Sequence, residues 1–300
     1  MLKKLKYQLE YLILRGFAAF LNALPYRIAL IFAWGVSSFL FHIIRLRRRE
    51  TLDRIRFVLG EQTPQHELKR VAKLSLRNMS FNIVEMMRAP AINKAWIDQH
   101  MPTFGPRIPI AIDLLQKHRG LIFAVPHMGN WDLAGWACNR YGITMFSIGA
   151  KQRNPYINAW ITRQRENGIT MLERGGKTLK EIILRLQEGS AFAILPDVRM
   201  PKKDMTVPFL SGNANLGRGM AAFARAANVP ILPAVFMRTG WTQHDFVYFD
   251  PIFPDLTLDK ESDIQRMTTL VMKHIDTAIR HHPEQWFWYN GRWILDPVKS

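Results

Sequence analysis

Cysteine is almost missing from this chain of 300 residues, Cys138 being the only one. An internal disulfide, a thiolate metal site and a CxxC redox motif are therefore excluded, which fits a reducing, cytosolic setting. Acidic residues are scarce too. Asp and Glu total 24 against 41 Lys and Arg, so the formal charge is +17. A surface that basic calls for an anionic partner: nucleic acid, a membrane leaflet or an acidic protein. Zinc-finger, RNP-like and basic-zipper patterns are all missing, so nucleic acid is not expected. No GxSxG elbow supplies a serine nucleophile, and Gly175-Gly176 lacks the Lys-Ser/Thr of a phosphate loop, reading instead as a turn before a helix. His281-His282 has no carboxylate or cysteine neighbours at metal spacing, and neither metal nor cofactor is expected. Repeats and low-complexity tracts are absent.

What the chain does have begins at its N-terminus. Tyr11 to Leu24 is mostly apolar, Pro25 interrupts, and residues 28–44 (IALIFAWGVSSFLFHII) run without a formal charge. At ~1.5 Å per residue this run covers about 25 Å, the lower edge of a membrane span. Lys3, Lys4, Lys6 and Arg15 lie before it, and Arg45, Arg47, Arg48, Arg49, Arg54 and Arg56 after it. Basic groups beside an apolar segment suit anionic lipid heads better than a groove of bases. No small-residue cleavage site follows Ile44, which argues against a signal peptide. A single span, a hairpin bent at Pro25 and a buried core helix all fit the run. The basic flanks and Trp34 favour attachment to a membrane. The block Arg45–Arg49 would hold the rest of the chain on the cytoplasmic side, while Lys3, Lys4 and Lys6 argue the same for the other end, which favours the hairpin. The expectation is an anchor over 1–50 and a catalytic domain over 51–300.

Beyond the anchor, residues 51–89 read as helix, with Leu68, Val71, Ala72, Leu74 and Ser75 at helical spacing and Ala89-Pro90 as the stop. A short helix follows at 108–117. The rhythm then changes to alternation. Strands are expected at 120–125, 143–148, 169–172, 191–195, 231–237 and 246–249. Helices are expected at 131–141, 155–167, around Leu179–Leu186 before Gly189, 216–227 and 262–281. The strand at 120–125 is apolar throughout, as a strand covered on both faces must be. Alternating strands and helices predict an α/β fold with a mixed, largely parallel sheet covered by helices. The 48% of hydrophobic residues can fill such a core. Ligands of these folds bind beyond the carboxyl ends of strands.

His127 stands at such a position, in Pro126-His127-Met128-Gly129-Asn130-Trp131-Asp132. If the segment turns from strand into helix there, Asp132 can accept a hydrogen bond from one imidazole nitrogen. The tautomer is then fixed, and the other nitrogen is free to take a proton from a hydroxyl. Cys138 falls inside an apolar helix, where burial raises a thiol's pKa, so it is not expected to be a nucleophile. A His–Asp pair without a nucleophile suits direct attack by a substrate's own hydroxyl. The blander alternative is that Asp132 caps a helix and His127 is a satisfied loop histidine. By themselves, Arg163 and Arg165 read as solvated helix arginines, and Trp286, Phe287, Trp288 and Trp293 as core or interfacial anchors.

The segment PHMGNWD resembles the HX4D/E motif of the lysophospholipid and lipid A acyltransferases. Arg163-Gln-Arg165-Glu-Asn-Gly168 is similar to the second, arginine-bearing block of that superfamily. Leu195-Pro196-Asp197 with Val207-Pro208-Phe209-Leu210-Ser211-Gly212 is similar to the third, and Pro230-Ile-Leu-Pro233 to the fourth. Pro283-Glu-Gln-Trp286-Phe-Trp288 with Arg292-Trp293 resembles the closing signature of the lipid A branch, and PHxGNWDLAG also resembles the phosphatidylinositol mannoside acyltransferases. The resemblance runs from about residue 120 to 295, in order.

It implies a glycerophosphate-acyltransferase-like fold behind N-terminal membrane-associated helices. It implies transfer of a fatty acyl group from acyl carrier protein, or acyl-CoA, to a hydroxyl of an anionic lipid such as a lipid A precursor, at the cytoplasmic face of the inner membrane. His127 would be the general base, Asp132 its partner, and no acyl-enzyme would form. Arg163 or Arg165 would contact phosphate or the acyl donor, and Asp197 would be the first acid of the third block. Backbone N–H groups near Gly129 and Asn130, or an arginine, would stabilise the oxyanion. The chain departs from the pattern at Arg199, where relatives carry a second acid, and at Asn290, where lipid A enzymes often have His. Acylation of another glycolipid or a lysophospholipid, hydrolysis of an acyl thioester or ester by the same pair, and lipid binding without chemistry are the competing readings.

Overall fold

The computed structural model describes residues 2–149, 151–173 and 178–296. The expected turn at Gly175-Gly176 lies outside them. Two helices open the chain, α1 (Leu2–Ala23) and α2 (Tyr26–Phe39), with a π-helical turn at Leu40–Ile44 continuing the second. The chain reverses at Pro25, so that Phe32 meets Phe20 at a ring separation of 5.4 Å. The region expected to be one helix over 51–89 is two, α3 (Arg48–Leu59) and α4 (Gln65–Met87). Gly60 at φ +104 ends the first, and Pro64 precedes the second. Neither residue fits a helix interior, whatever the apolar spacing around it.

Three short helices follow, α5 (Lys94–His100), α6 (Phe104–Arg107) and α7 (Pro109–His118). The alternating part then runs β1 (Leu121–Ala124), α8 (Trp131–Arg140), β2 (Met145–Ile148), α9 (Pro155–Arg165), β3 (Thr170–Leu172), α10 (Thr178–Gln187) and β4 (Ala191–Ile194). After these come β5 (Met205–Phe209), β6 (Gly212–Leu216), α11 (Gly219–Ala227), β7 (Ile231–Arg238), β8 (His244–Tyr248) and α12 (Lys260–His281). Six strands make one sheet in the order β3-β2-β4-β1-β7-β8. All neighbours are parallel except β7 and β8. The fold is thus α/β, with a mostly parallel mixed sheet between helices.

Alternate residues of β1 serve the two faces, as strand geometry requires. Ile122 and Ala124 join a core with α4, α10, α11 and α12, while Leu121 and Phe123 join one with α5, α7 and α8. The helix expected to begin at 216 begins at Gly219, because residues 212–216 pair with 205–209 as a hairpin. Its two-residue turn, Leu210-Ser211, has both φ angles positive, at 49 and 67. Hairpins of this kind normally announce themselves with Asn-Gly or Asp-Gly. Here Asp276 accepts from the Leu210 N–H at 3.1 Å and Arg280 donates to the Ser211 hydroxyl at 2.9 Å, so α12 holds the turn.

The first two helices share a core with the rest of the chain. Leu21, Ala29, Leu30 and Ala33 are buried against Phe81, Val84 and Met87 of α4 and Trp160 of α9. The boundary expected at residue 50 falls in the first turn of α3, whose Leu52 and Ile55 belong to the main core. On its other side α1 exposes Leu2, Leu5, Leu9, Leu12 and Ile13, and the next segment exposes Ile31, Trp34, Phe39, Ile43 and Ile44. The stretch Tyr26–Ile44, 19 residues of mean hydropathy 1.7, is long and apolar enough to cross a membrane, and 28% of it is buried within the protein.

Candidate active site

Strands β1 and β4 lie side by side at the middle of the sheet, with Ala124 in register with Ile194. After each strand the chain leaves the sheet, and the third residue beyond it is one of the candidate site residues, His127 after β1 and Asp197 after β4. Their side chains meet. The imidazole Nδ1 is 2.9 Å from Asp197 Oδ1, and the His127 backbone N–H donates to Oδ2 at 2.8 Å. The Trp286 indole N–H donates to the same Oδ2 at 2.8 Å. With Nδ1 bonded to a carboxylate, the proton sits on Nδ1 and the Nε2 lone pair is free. Burial opposes a charge on His127, but the Asp197 carboxylate outweighs it and holds the imidazole above its usual pKa. Burial opposes the Asp197 charge as well, and His127 together with the indole donor holds its pKa below the usual carboxylate range.

This arrangement corrects the expected hydrogen bond between His127 and Asp132. Asp132, in the first turn of α8, accepts from Arg165 Nε at 2.8 Å. The turn between β1 and α8 carries Asp132 toward α9 instead of back onto the ring. Its charge still favours the imidazolium through space, and that of Arg165 opposes it. Arg163, two residues before Arg165, is exposed on another side of α9 and lines a cleft against α1.

The loop itself is fastened on every side. Gly129 has φ +60, and a Cβ there would stand 1.8 Å from the Phe236 carbonyl oxygen. Only glycine fits. Its N–H donates to the Gln285 carbonyl at 2.9 Å, and the Asn130 N–H donates to that of Phe236 at 2.9 Å. Both amides expected to face an oxyanion are therefore already committed. The Asn130 side chain caps α8 by accepting from the Leu133 N–H at 3.0 Å, and it donates to Glu85 at 2.5 Å. Gly129 and Asn130 thus shape the loop, Arg165 stands on Asp132, and Arg199 and Arg292 lie beside His127. Arg199, Asn290, Arg292 and Trp293 line a narrow hollow beside His127 and Asp197.

Beneath the loop, Glu85 and Arg238 form a buried ion pair at 2.7 Å, each with 1% of its side chain exposed. His244 lies 3.2 Å from the same carboxylate. Burial pulls the His244 pKa down despite Glu85, and burial of Arg238 is offset by Glu85, which holds the guanidinium charged. Gln285 bonds both the N–H and the carbonyl of Arg238, at 3.0 and 2.9 Å, and so joins this network to the C-terminal segment. Sequence reasoning did not single out Glu85, Arg238, Gln285 or Trp286 as site residues. For Trp286 one signal existed: a buried indole N–H needs an acceptor.

Cys138 is buried in α8, where burial pushes its thiol up, as an inert core cysteine behaves. Among the described residues, no group of three or more His, Cys, Asp and Glu side chains is placed to hold a metal.

Three comparisons bear on this geometry. The pattern of a family described as bacterial lipid A biosynthesis acyltransferase matches residues 1–294. A phosphatidylinositol mannoside acyltransferase of Mycolicibacterium smegmatis is 22% identical over 220 residues, covering 71% of this chain and 68% of that protein. A lipid A biosynthesis acyltransferase of Haemophilus influenzae is 26% identical over 176 residues, covering 57% of this chain and 52% of that protein.

Proposed function

The chain belongs to the bacterial lipid A biosynthesis acyltransferase family, and from that premise we propose that it moves a fatty acyl group from acyl carrier protein, or from acyl-CoA, onto a hydroxyl of a lipid A precursor. His127 acts as general base. Its Nε2 takes the proton as the acceptor oxygen attacks the thioester carbonyl, the carbon–oxygen bond forms, and the carbon–sulfur bond then breaks. The proton passes from Nε2 to the leaving thiolate, so no acyl-enzyme is needed. Asp197 holds the ring by Nδ1 and offsets the imidazolium charge, as the acid of a Ser-His-Asp triad does. Asp132, fixed by Arg165, adds a second negative charge nearby. Arg165 also supplies the positive charge expected of the second block, as donor to the oxyanion or to a substrate phosphate. The observation that carries this reading is the contact of His127 Nδ1 with a buried carboxylate, which leaves the basic nitrogen free.

The relatives named for phosphatidylinositol mannoside cover more of the chain than the lipid A enzyme of Haemophilus. This favours, as a second reading, another glycolipid as acceptor with the same chemistry. Purified protein given radiolabelled acyl carrier protein thioester should label a lipid A precursor, and His127→Ala should abolish transfer. Transfer that survives His127→Ala would overturn the mechanism, and release of free fatty acid at equal rate without acceptor would make the protein a hydrolase.

We place the chain on the cytoplasmic face of the inner membrane as a peripheral helical hairpin. Helix α2 runs along α4, from Tyr26, which donates to Glu85, to Trp34, whose ring lies 5.9 Å from the Lys73 amine. A spanning α2 would draw Lys73 and its charged neighbours on α4 into hydrocarbon, at a cost of several kcal/mol. Lying along the interface, α1 and α2 bury their exposed apolar residues and leave the arginines near the lipid heads.

A further inference from the structure

Four polar side chains, Ser75, Asn78, Asn82 and Glu85, are buried along α4. Their spacing sets them one above the other on one side of the helix. Such positions in a core helix are ordinarily apolar, because every buried polar group must find a partner. Here each of the four reaches one of two segments, and both segments serve the His127–Asp197 pair. Ser75 donates to the Trp286 carbonyl at 2.5 Å and Asn78 to that of Glu284 at 2.9 Å, on the segment whose indole holds Asp197. Asn82 donates to the Gly129 carbonyl at 2.5 Å, and Glu85 accepts from the Asn130 side chain at 2.5 Å, on the loop that carries His127.

The chemistry fixes which way the two amides face. A guanidinium has only donors, and that of Arg238 bonds Asn82 Oδ1 at 3.3 Å, so the Asn82 NH₂ is turned to Gly129. Asn130 Oδ1 accepts from the Leu133 N–H at 3.0 Å, which turns its NH₂ to Glu85. Arg238 also bonds both oxygens of Glu85 at 2.7 Å, which ties the helix side of the contact together. Neither Asn82 nor Glu85 lines the hollow beside His127, and both are buried. Whatever they do for catalysis passes through the loop.

We propose that Asn82 and Glu85 are positioning residues for the base: from behind the loop they hold the Gly129 carbonyl and the Asn130 side chain, and so keep His127 on Asp197. The inference rests on the reading of His127 as general base. A reacting group displaced by about 1 Å costs about 100-fold in rate. A bond that serves the fold alone lowers the melting temperature and leaves kcat as it was.

Two variants break the contact from its two sides. Asn82→Ala removes the donor to Gly129 and leaves Arg238 paired with Glu85. Asn130→Ser keeps a cap on α8, since serine caps a helix about as well as asparagine, but its side chain is too short for Glu85. In the full chain in detergent micelles, well below the melting temperature, each should lower kcat about 30- to 100-fold with KM unchanged. The His127 ring would also be titrated by NMR on isotope-labelled histidine, its signal assigned by its loss in His127→Ala. Asp197, Asp132, Arg165, Arg199 and Arg292 are the charged groups around the ring, and neither variant replaces any of them. A ring drawn off Asp197 should nonetheless titrate at lower pH than in the parent, because that carboxylate raises its pKa. With His127→Ala inactive, a folded variant whose kcat stays within about threefold of the parent would overturn the proposal. So would a folded variant whose His127 titration has not moved. Either variant alone decides, so the test stands even if Asn82→Ala fails to fold. If His127→Ala keeps transfer, the reading of His127 as base fails, and the titration, which needs no acyl transfer, still decides the positioning.

Discussion

His127 and Asp197 stand at matching heights beyond two neighbouring parallel strands, with Nδ1 and Oδ1 2.9 Å apart. The Asp197 carboxylate is held by the His127 N–H and the Trp286 indole N–H as well, each at 2.8 Å. Asp197→Asn keeps the volume and removes the charge. The amide can also present its NH₂ to Nδ1 and so place the imidazole proton on the wrong nitrogen. The corresponding change in a Ser-His-Asp triad lowers kcat by about 10⁴-fold. A fall of about 10³- to 10⁴-fold in acyl transfer, with an unchanged melting temperature, is expected of Asp197→Asn. Transfer within about tenfold of the parent would show that His127 does not depend on this carboxylate.

The same contact sets the pH dependence. A base must be neutral to accept a proton, and Asp197 favours the charged form of His127, so its pKa lies above the usual value. The acid limb of kcat/KM, which reports the free enzyme, should therefore fall above about pH 6.5. Without the carboxylate the larger raising influence is lost, only the charge of Asp132 still favours the imidazolium, and burial remains. The limb of Asp197→Asn should move to lower pH, measured on whatever activity persists. A limb that stays in place would assign the titration to another group.

Much of this was legible in the sequence, and the part that was not has a physical cause. The apolar run ending at Val125 marked β1, and placing His127 just past a strand end was sound, because that inference needs only local pattern. The partner needed more. Asp132 was the nearest acid in sequence, whereas Asp197 becomes the nearest in space only because β4, and not β2, pairs with β1. Strand order is a tertiary property that apolar periodicity does not encode. Asp197 was singled out only through the third block of the resemblance. Likewise Glu85 sits at an ordinary helical position, and its role depends on Arg238 at the far end of β7. The hairpin at 205–216 escaped notice because Leu210-Ser211 carries no turn signature and is held by α12.

The loop that carries His127 depends on Gly129. Left-handed backbone costs a residue with a Cβ about 1–2 kcal/mol, and here the added carbon would also meet the Phe236 carbonyl at 1.8 Å. The strain can be relieved only by moving the loop from β7. Gly129→Ala is expected to destabilise by more than those 1–2 kcal/mol and to lower acyl transfer more than stability alone explains. Denaturant unfolding and assays well below the melting temperature would separate the two effects. An alanine variant with parental stability would show that the loop has another low-energy path.

Attachment to the membrane is best tested by changing the surface and leaving the core alone. Deleting residues 1–50 would remove Phe41, which is buried in the main core, and α2, which covers α4. Loss of membrane binding after that deletion would be confounded by unfolding. Leu5, Leu9 and Ile13 are instead about 60% exposed, at 64%, 58% and 64%, on one side of α1. Their replacement by Glu leaves the internal contacts of the helix in place. Burying each such side chain in an apolar medium contributes roughly 1.5–3 kcal/mol when complete. The triple variant should therefore partition onto anionic vesicles at least about 100-fold less well than the parent, with its melting temperature held. Vesicle co-sedimentation at several salt concentrations gives the answer. If the variant sediments as the parent does at high salt, the hairpin is not the attachment surface. If it is released only as salt rises, the arginines from Arg45 to Arg56 retain it electrostatically while the apolar side of α1 has been lost.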